Sequence, residues 1–432
     1  MKVLVIGGGG REHALVWKLR QSPHLARLFC APGNAGIARQ AECVPIGAED
    51  VEGLLTFALQ QGVDLTVVGP EAPLAHGIVN RFSARGLRIF GPTREAAAVE
   101  TSKTFAKELL RRHGIPTAPF RVFSAFEEAR RYVREQGAPI VVKADGLAAG
   151  KGVVVARSIP EAEEALRRFM VEGELGEAGR TVVVEACLRG EEASVLALSD
   201  GQTILALAPA QDHKPVFDGD RGPNTGGMGA YSPVPLVTPA LQQRILAEVL
   251  EPAVRGLAAE GTPYRGVLYA GLMIQDGAPY VLEFNARFGD PEAQPILVRM
   301  QDDLLPLLLG VAEGKLPQSG VSWDPRAAVC VVMSSAGYPG SYAKGHVIRG
   351  LEEADRLPDV VVFHAGTAVR DGDVVTSGGR VLGVTALGDG IGAAIERAYE
   401  AVRHITWAGA HYRTDIGRKA QARLKGTAAV AG

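Results

Sequence analysis

The first hundred residues repeat one pattern, in which a short apolar segment runs directly into a loop rich in glycine and proline. Residues 3–6 precede four glycines, residues 28–31 precede Pro-Gly-Asn-Ala-Gly, and residues 65–68 precede Gly-Pro-Glu. Between the first two segments, residues 11–21 have the apolar spacing of a helix. Repeated strand–helix units predict a parallel, doubly wound sheet. Ligands on such sheets bind beyond the carboxyl ends of the strands, so we expect these loops to form a site at one edge.

The remaining sequence predicts two further domains. A length of 432 residues suggests about three domains, and we expect them at residues 1–101, 102–320 and 321–432. In the second domain, residues 139–143 and 153–156 predict strands on either side of a glycine loop. The expected fold class is therefore a multidomain α/β and α+β chain, with a doubly wound N-terminal sheet and a mixed α/β domain at the C-terminus.

Other segments give weaker signals. Asp276-Gly277 predicts a hairpin turn between two apolar segments. Residues 212–235 are rich in Gly, Pro and Asp and predict a long loop, which in a compact domain is usually functional, and residues 92–101 predict a connector. Further strands are predicted at 181–186, 193–198, 266–275, 278–284, 329–334, 360–363, 365–369 and 381–386, and helices at 103–113, 241–260, 304–313 and 392–404.

The charge of the chain is nearly balanced, with 46 Lys and Arg against 48 Asp and Glu and a formal net charge of −2. This balance gives no general attraction to nucleic acid or membrane, so a few placed groups must hold any anionic ligand. The four cysteines have wide, irregular spacing, which favours reduced, buried thiols over a zinc site. The N-terminal apolar run is too short for a signal peptide or a membrane span. We therefore expect a cytoplasmic enzyme.

The first glycine loop follows a strand and opens a helix, a position that favours an anion at its backbone N–H groups. Its central residues are Gly8, Gly9 and Gly10. The loop differs from the dinucleotide-binding GxGxxG motif because Glu12 stands at the third glycine position, and the acidic residue expected about 20 residues further on is missing. A phosphate monoester therefore fits better than NAD. The alternative is a tight turn that binds no ligand.

A second glycine loop lies between two predicted strands. Gly146-Leu-Ala-Ala-Gly150-Lys151-Gly152 resembles a Walker motif, but it is one residue short, lacks the Ser or Thr, and continues as a strand rather than a helix. Strand–glycine loop–strand predicts a hairpin flap that folds over phosphates. Lys143 closes the preceding apolar strand and needs an anionic partner if it is buried. A solvated lysine is the alternative, and the adjoining flap favours the phosphate contact.

A third cluster of polar residues ends the strand predicted at 278–284. Glu283, Asn285 and Arg287 alternate along the chain, so they share one face, while Phe284 points into the core. A carboxylate and an amide oxygen suit Mg²⁺, and an arginine suits a phosphate or carboxylate. The alternative is a polar edge-strand face. Three such groups in register, followed by Gly-Asp-Pro-Glu, favour the site.

The segment at 212–235 begins with Asp212-His213-Lys214 and contains Asn-Thr-Gly-Gly-Met-Gly at residues 224–229. Small residues allow the backbone to approach a ligand closely. From the residues alone, a disordered insertion is an equally open interpretation. We assign no catalytic role to His213, and we expect His13, one turn into the first helix, to be structural.

Taken together, these motifs resemble a known superfamily. Lys143 before the glycine flap, Glu185 at a strand end and the Glu283-x-Asn285-x-Arg287 pattern are similar to ATP-grasp proteins. Within that superfamily, the chain resembles the family of phosphoribosylamine–glycine ligases, also called glycinamide ribonucleotide synthetases. The segments that carry this narrower resemblance are residues 7–13, 32–36, 69–71, 211–214, 224–229 and 287–292.

The resemblance implies a fold and a reaction. The fold is a doubly wound N-terminal domain, an ATP-grasp body with a mobile lid at about residues 120–188, and a C-terminal domain beside the site. The reaction joins glycine to 5-phosphoribosylamine through a glycyl phosphate and converts ATP into ADP and phosphate, in de novo purine biosynthesis. The implied metal is Mg²⁺ or Mn²⁺. We expect a monomer that contacts the preceding enzyme of the pathway transiently and binds neither nucleic acid nor membrane.

The resemblance also implies roles for individual residues. Lys103 and Lys143 would hold the ATP phosphates, and the loop at residues 7–10 would hold the 5′-phosphate of the sugar. Glu185 and Leu188 would contact the adenine, Glu192 the ribose, and Glu283 and Asn285 the metal. The catalytic set would be Arg287, Lys143, Asp212 and Lys214. The other implied ligand-binding residues are Gly8, Gly9, Gly10, Asn34, Glu71, Gly146, Gly150, Lys151, Gly152, Asp290, Pro291 and Glu292.

Two other functions are alternatives to this ligation. The first keeps the ATP-grasp chemistry but changes the substrate, as in a carboxylase or transformylase acting on another purine intermediate. The segment 212–229 and Asp290-Pro-Glu292 favour the glycine-ligating family over it. The second is an NAD-dependent oxidoreductase or a nucleotide-sensing binding protein, which predicts no release of ADP with any substrate.

Overall fold

The computed structural model describes residues 1–148 and 151–430. Its N-terminal region contains a five-stranded sheet in which all neighbouring strands are parallel. In spatial order the strands are Glu42–Cys43, Arg27–Pro32, Lys2–Gly7, Leu65–Val68 and Ile89–Phe90. The helices of this region are Gly10–Leu19, Val51–Gln61, Glu71–Ala75, Ile78–Ser83 and Ala98–Thr101, with a 3₁₀ turn at Ile37–Arg39. The predicted doubly wound sheet is confirmed.

The register of this sheet brings its loops together. Gly7 stands opposite Pro32, and Ile6 stands opposite Val68. The three loops that follow these strands therefore lie at one edge, as the sequence predicts. The connector predicted at 92–101 is wrong at its end, where a helix forms because Ala96, Ala97 and Val99 pack into the core.

A small antiparallel sheet forms the first part of the central region. Its strands are, in order, Phe120–Phe123, Val182–Ala186, Ile140–Ala144 and Val153–Ala156. Its helices are Phe126–Gln136 and Ile159–Leu166, followed by a π turn at Arg167–Val171 and a 3₁₀ turn at Gly176–Gly179. The predicted hairpin is confirmed, since Lys143 pairs with Val153 across the loop. The apolar residues of this unit form a hydrophobic cluster of their own.

A second antiparallel sheet follows in the chain. Its strands are, in order, Ile204–Ala206, Glu191–Asp200, Arg265–Gln275 and Ala278–Asn285. The helices around it are Lys103–Arg112, Pro239–Ile245, Glu251–Ala259, Ala293–Arg299 and Leu304–Glu313, and a π turn at Leu246–Leu250 joins the second and third. Asp276 and Gly277 both have positive φ, which confirms the predicted hairpin turn.

The third sheet includes strands from two distant parts of the chain. Its strands are, in order, Gln211–Asp212, Gly229–Ser232, Ala327–Ser335, Arg380–Gly388 and Val360–His364, and Ala410–His411 pairs with the third. Two further strand pairs are Pro215–Phe217 with Arg221–Asn224 and Thr367–Arg370 with Asp373–Thr376. The helices are Leu351–Asp355, Ile391–His404 and Arg418–Val430.

The long loop predicted at 212–235 is therefore wrong. The buried strand Gly229–Ser232 forms by pairing with the distant strand Ala327–Ser335, although its own sequence has no apolar pattern that predicts a strand. The strand predicted at 365–369 begins two residues later, at Thr367. Two large hydrophobic clusters combine residues of the N-terminal, central and C-terminal sheets, so these regions share a core. Among the described residues, no helix combines the length and the apolar composition needed to cross a bilayer.

Candidate active site

Lys143 is the next-to-last residue of its strand in the small sheet and lies buried at 5% exposure. Its ammonium group pairs with Glu185, which also pairs with Lys107. Burial by itself would raise the pKa of Glu185, but the two ammonium groups outweigh it and hold that pKa below its ordinary value. Burial and the neighbouring Lys143 lower the pKa of Lys107 to about 8. The buried lysine thus has the anionic partner that the sequence argument required.

Lys143 also reaches the end of the second sheet. Its Nζ donates to the carbonyl of Leu282 at 2.9 Å, next to Glu283. Lys214 Nζ lies 3.3 Å from Glu283 Oε1 and 3.7 Å from Glu192 Oε2. The attraction of Lys214, supported by Lys143 and Lys103, lowers the pKa of Glu283 to about 2. The cationic and acidic strand ends predicted to face each other therefore do so, and Glu283 is ionised.

Lys103 joins this cluster from the start of a helix. Ser102 caps the helix by accepting a hydrogen bond from the backbone of Phe105, and Lys103 Nζ donates to the carbonyl of Gly146 at 3.2 Å. Burial lowers the pKa of Lys103. Three lysines (Lys103, Lys107 and Lys143) thus lie with the carboxylates of Glu185 and Glu283 at the base of the flap. Clustered ammonium groups of this kind suit a polyphosphate.

The two glycines at the ends of the flap are closely packed against alanine side chains. A Cβ at Gly146 would lie 2.8 Å from the Cβ of Ala178, and a Cβ at Gly152 would lie 2.8 Å from the Cβ of Ala148. Lys151 is exposed, and Gly150 lies outside the described residues. Leu188 follows the lid strand that ends at Ala186 and is half-buried.

Arg287 lies between two carboxylates. Its guanidinium contacts Glu71 at 3.3 Å and Glu100 at 3.0 Å, and it donates to Asn285 Oδ1 at 3.2 Å. Burial raises the pKa of Glu100, whereas Arg287 outweighs the burial of Glu71 and lowers that pKa. Phe284 is buried, as predicted. The face shared by Glu283, Asn285 and Arg287 is thus a polar face within a site rather than a solvated edge.

The donor atoms present fit a divalent cation. Glu283 offers an ionised carboxylate and Asn285 an amide oxygen, which are the oxygen ligands that Mg²⁺ prefers. Among the residues that the structure describes, no group of three or more His, Cys, Asp or Glu forms a metal site. A cation here would therefore need oxygens from a bound phosphate, which is the usual arrangement for Mg²⁺.

The first glycine loop has fewer free donors than its sequence suggests. The N–H of Gly9 donates to Glu12 Oε2 at 2.7 Å, and a Cβ at Gly7 or Gly9 would lie 2.6 or 2.8 Å from the Glu12 side chain. Asn34 donates to the carbonyls of Gly8 and His364 at 2.9 and 2.8 Å. Glu12 and Asn34 therefore stabilise the loop. The binding of a sugar phosphate at this position stays a prediction.

A second group of carboxylates consists of Asp212, in the segment after residue 210, and of Asp290 and Glu292, after the second sheet. Burial and the charge of Glu292 raise the pKa of Asp212 well above its ordinary value. Glu292 accepts hydrogen bonds from Tyr269 at 2.5 Å and Ser194 at 3.2 Å. Asp290 accepts from Gln294 at 2.9 Å. The structure thus places Asp212 close enough to Glu292 for their charges to interact, and Asp212 and Pro291 both lie beside Gly227.

Several residues of the site have no signal in the sequence motifs. Lys107, Glu100 and Arg380 are engaged with site residues but belong to none of the quoted segments. Lys107 lies one helical turn after Lys103, and two lysines at this spacing are unfavourable unless an anion lies nearby, which is the one sequence signal outside the motifs that indicates Lys107. His213, left without a role, is buried, and His13 accepts a backbone hydrogen bond from His364 at 2.7 Å, in keeping with a structural role.

This fold and this site define an ATP-grasp enzyme, in which a hairpin flap with lysines at its base faces an acidic strand end of a second sheet. Within that class, the chain belongs to the phosphoribosylglycinamide synthetase family. The family's N domain matches residues 1–100, its ATP-grasp (A) domain residues 101–293, and its C domain residues 328–419.

Individual proteins support the same assignment. A phosphoribosylamine–glycine ligase of Pseudomonas aeruginosa is 56% identical over 99% of this chain and 100% of that protein. The crystal structure of a phosphoribosylamine–glycine ligase from Thermotoga maritima has a TM-score of 0.85 and 34% identity, over 96% of this chain and 100% of that one. The biotin carboxylase domain of Hydrogenobacter thermophilus 2-oxoglutarate carboxylase, solved with magnesium ADP and bicarbonate, has a TM-score of 0.73 at 16% identity, over 95% of this chain and 91% of that one, and shows the fold alone.

Proposed function

We propose that the chain ligates glycine to 5-phosphoribosylamine and converts ATP to ADP and phosphate, a step of de novo purine biosynthesis. The observation that carries the proposal is the contact of two strand ends beneath the flap, where Lys143 Nζ donates to Leu282 O at 2.9 Å beside Glu283. Opposed cationic and acidic groups suit a nucleotide polyphosphate and its divalent metal. Relatives that carry the name of this activity match almost the whole chain.

ATP binds between the two sheets in this proposal. Lys103 and Lys143 hold its phosphates, because both ammonium groups lie at the base of the hairpin. The flap at residues 146–152 covers the phosphates. The residues proposed for the adenine and the ribose are Glu185, Leu188 and Glu192.

Glu283 and Asn285 would hold Mg²⁺ or Mn²⁺ together with phosphate oxygens. When bound, such an ion neutralises charge on the phosphates during transfer. The protein groups contribute in the same direction, since Lys143 donates to the carbonyl of Leu282 and Arg287 donates to Asn285 Oδ1, close to Glu283 in the same strand. Preorganised cations of this kind stabilise the charge that develops on a transferring phosphoryl group.

The first chemical step forms an acyl phosphate. The carboxylate of glycine attacks the γ-phosphorus of ATP, and the bond to the β–γ bridging oxygen breaks, so that ADP leaves and glycyl phosphate remains. Water would hydrolyse this intermediate, and we therefore propose that the lid, at about residues 120–188, closes over the site first. Support for a mobile lid comes from its separate hydrophobic cluster.

The second step forms the amide bond. The amine of phosphoribosylamine attacks the carbonyl carbon of glycyl phosphate, phosphate leaves, and the amine loses a proton. Asp212 is the proposed acceptor of that proton, because it is a carboxylate in the segment that faces the acceptor substrates, and burial and Glu292 raise its pKa. Lys214 compensates the negative charge that accumulates near Glu283.

The sugar phosphate is proposed to lie at the edge of the N-terminal sheet. Gly8, Gly9, Gly10 and Asn34 line that edge, and Glu71 and Asp290 supply carboxylates that accept hydrogen bonds from hydroxyl or amine groups. The proposed domain division is residues 1–101, 102–320 and 321–432. A monomer with transient contact to the preceding enzyme remains part of the proposal.

The direct test is the release of ADP in the presence of Mg²⁺, glycine and freshly prepared phosphoribosylamine, with each component omitted in turn. We expect release to require all of them. Release that does not depend on glycine contradicts the proposed ligation and favours an ATP-grasp enzyme with a different substrate. No release under any combination favours a binding protein.

Two substitutions test the proposed nucleotide site. We expect Lys143→Ala and Glu283→Ala each to lower kcat by about 100- to 1,000-fold, the effect of removing one preorganised charged group from a transition state. Circular dichroism should show that both variants stay folded. Lys425→Ala, an exposed lysine of the last helix, is the matched control and should keep the original kcat. A kcat within about twofold of the original in both site variants, less than one hydrogen bond is worth, refutes the site assignment.

A further inference from the structure

Arg380 extends from the C-terminal sheet to the carboxylates of the proposed site. It begins the strand Arg380–Gly388, and its side chain is mostly buried. Its Nη1 donates to the carbonyl of Gly226 at 2.6 Å, to that of Asp290 at 2.7 Å and to that of Gly227 at 3.3 Å. Its Nη2 lies 3.3 Å from Asp290 Oδ2. One guanidinium thus joins two segments that are more than 60 residues apart in the chain.

A second residue of the C-terminal region contacts the same glycine segment. The hydroxyl of Tyr338 accepts a hydrogen bond from the backbone N–H of Gly226 at 3.0 Å. Gly226 is therefore fixed at its N–H by Tyr338 and at its carbonyl by Arg380. The segment between Asn224 and Gly229 is held from one side by the C-terminal region.

The segments that Arg380 joins face the proposed acceptor substrates. A Cβ at Gly9 would lie 3.6 Å from Asp290 Oδ2, and one at Gly10 would lie 3.5 Å from Asp290 Oδ1, so this carboxylate faces the first glycine loop. A Cβ at Gly227 would lie 2.7 Å from Asp212 Oδ1. A small displacement of Gly227 would therefore disturb the packing of Asp212, and a small displacement of Asp290 would move its carboxylate relative to the first glycine loop.

Other residues fasten the nucleotide half of the site. Within residues 1–148 and 151–430, Arg380 makes no hydrogen bond or ion pair with Lys103, Lys143 or Glu283. Those three residues are held by the lid hairpin and the second sheet. Loss of Arg380 should therefore act on one half of the site.

We propose that Arg380 is a positioning residue, which fastens the glycine segment at 224–229 to Asp290 and so makes the C-terminal region a necessary part of the glycine and phosphoribosylamine half of the site. This inference rests on the proposed function. It assigns to the C-terminal region an effect on the acceptor substrates that is separable from ATP binding.

The kinetic test uses Arg380→Met in the full chain. We expect KM for glycine or phosphoribosylamine to rise at least about tenfold, since one charge-assisted hydrogen bond is worth that much. KM for ATP should stay within about twofold, less than one hydrogen bond is worth. Arg380→Lys keeps the ion pair with Asp290 but loses the carbonyl contacts, and it should recover part of the loss. Tyr338→Phe should raise the same KM values by less. Arg356→Met, an exposed arginine of the C-terminal region, is the matched control and should change none of them.

A second measurement does not depend on activity. Hydrogen exchange of the amides at residues 225–229 should quicken in Arg380→Met, while exchange at residues 140–144 of the lid strand should not change. Unaltered exchange at 225–229 overturns the proposal, as does an equal rise in the KM values of ATP and the acceptor substrates. If the original protein shows no glycine-dependent release of ADP, the proposed ligation fails, and the exchange measurement still decides whether Arg380 fastens the segment.

Discussion

Glu185 separates two ammonium groups at a place from which water is largely excluded. Lys107 and Lys143 are 3% and 5% exposed, and the carboxylate between them is 2% exposed. Two cations so close in a poorly solvated region would repel each other strongly without a shared anion. The carboxylate of Glu185, expected from the family resemblance to contact the adenine, is thus already engaged in holding Lys143 at the base of the flap.

At this scale the stability effect of Lys107 should depend on Glu185. Glu185→Gln leaves the two buried ammonium groups without the carboxylate that contacts both, and we expect it to lower the free energy of unfolding by about 3–5 kcal/mol. In that background Lys107→Met should restore at least about 1 kcal/mol, because only one unpaired cation then remains. In the original chain Lys107→Met should destabilise instead. Urea denaturation of the four proteins measures the coupling, and strictly additive effects contradict it.

At the scale of elements, the sequence predicts best those strands whose apolar runs are bounded by glycine or proline. The predicted strands at 65–68 and 153–156 and the helix at 304–313 have the observed bounds. Gln211–Asp212 and Gly229–Ser232 are short and have no such apolar run. The first forms by pairing with the second, and the second forms by pairing with Ala327–Ser335. The pairing partner of Gly229–Ser232 is a strand about a hundred residues away, which no local period reveals.

The same limit applies to the site. Lys143 and Glu283 are predictable because each is a charged residue that follows an apolar run near the end of its strand, where a local contrast is visible. Glu100 and Arg380 are not, because the partners that define them come from other sheets and helices. Local sequence therefore shows which strand ends carry chemistry, and tertiary packing decides which further charges hold them.

Gly227 gives an element-scale prediction about the segment between Asn224 and Gly229. Its φ is +114°, and an added Cβ would collide with Pro291 and lie 2.7 Å from Asp212 Oδ1. We expect Gly227→Ala to lower kcat/KM for ligation by about 100-fold, since misplacement of about 1 Å in a reacting group has that effect. Gly372→Ala is the control, because its φ is +88° with no atom within 4 Å of the added Cβ. Equal kinetic losses in both would mean that backbone strain alone is responsible.

At the scale of the whole molecule, the first and the last regions of the chain meet at a pair of histidines. His13 lies in the helix Gly10–Leu19 and accepts a hydrogen bond from the backbone N–H of His364, which ends the strand Val360–His364. His364 Nδ1 lies 3.0 Å from Thr367 Oγ1, and Asn34 donates to the carbonyl of His364. This contact packs the loop edge of the N-terminal sheet against the C-terminal sheet beside the proposed sugar site.

The histidine pair predicts a particular loss of stability in acid. Burial, with the neighbouring His364 and Arg39, lowers the pKa of His13 to about 3, and burial with Arg39 lowers the pKa of His364 to about 4. The unfolded chain takes up these protons below about pH 6.5, whereas the folded chain does not until about pH 4. The unfolded state therefore binds more protons in this window, and the free energy of unfolding falls as the pH drops, by up to about 1.4 kcal/mol per pH unit for each histidine.

His13→Gln isolates one of these contributions, because the amide oxygen can still accept from His364 but does not titrate. Between pH 7 and pH 5 we expect the variant to lose about 2 kcal/mol less of its free energy of unfolding than the original chain. Between pH 7 and pH 8 the changes in the two proteins should differ by no more than about 0.2 kcal/mol, since a histidine of the unfolded chain, with a pKa of about 6.5, has already lost most of its proton at pH 7. Urea denaturation at these three pH values measures the difference. Equal losses at pH 5 would mean that His13 is protonated in the folded protein and that the two regions do not bury it between them.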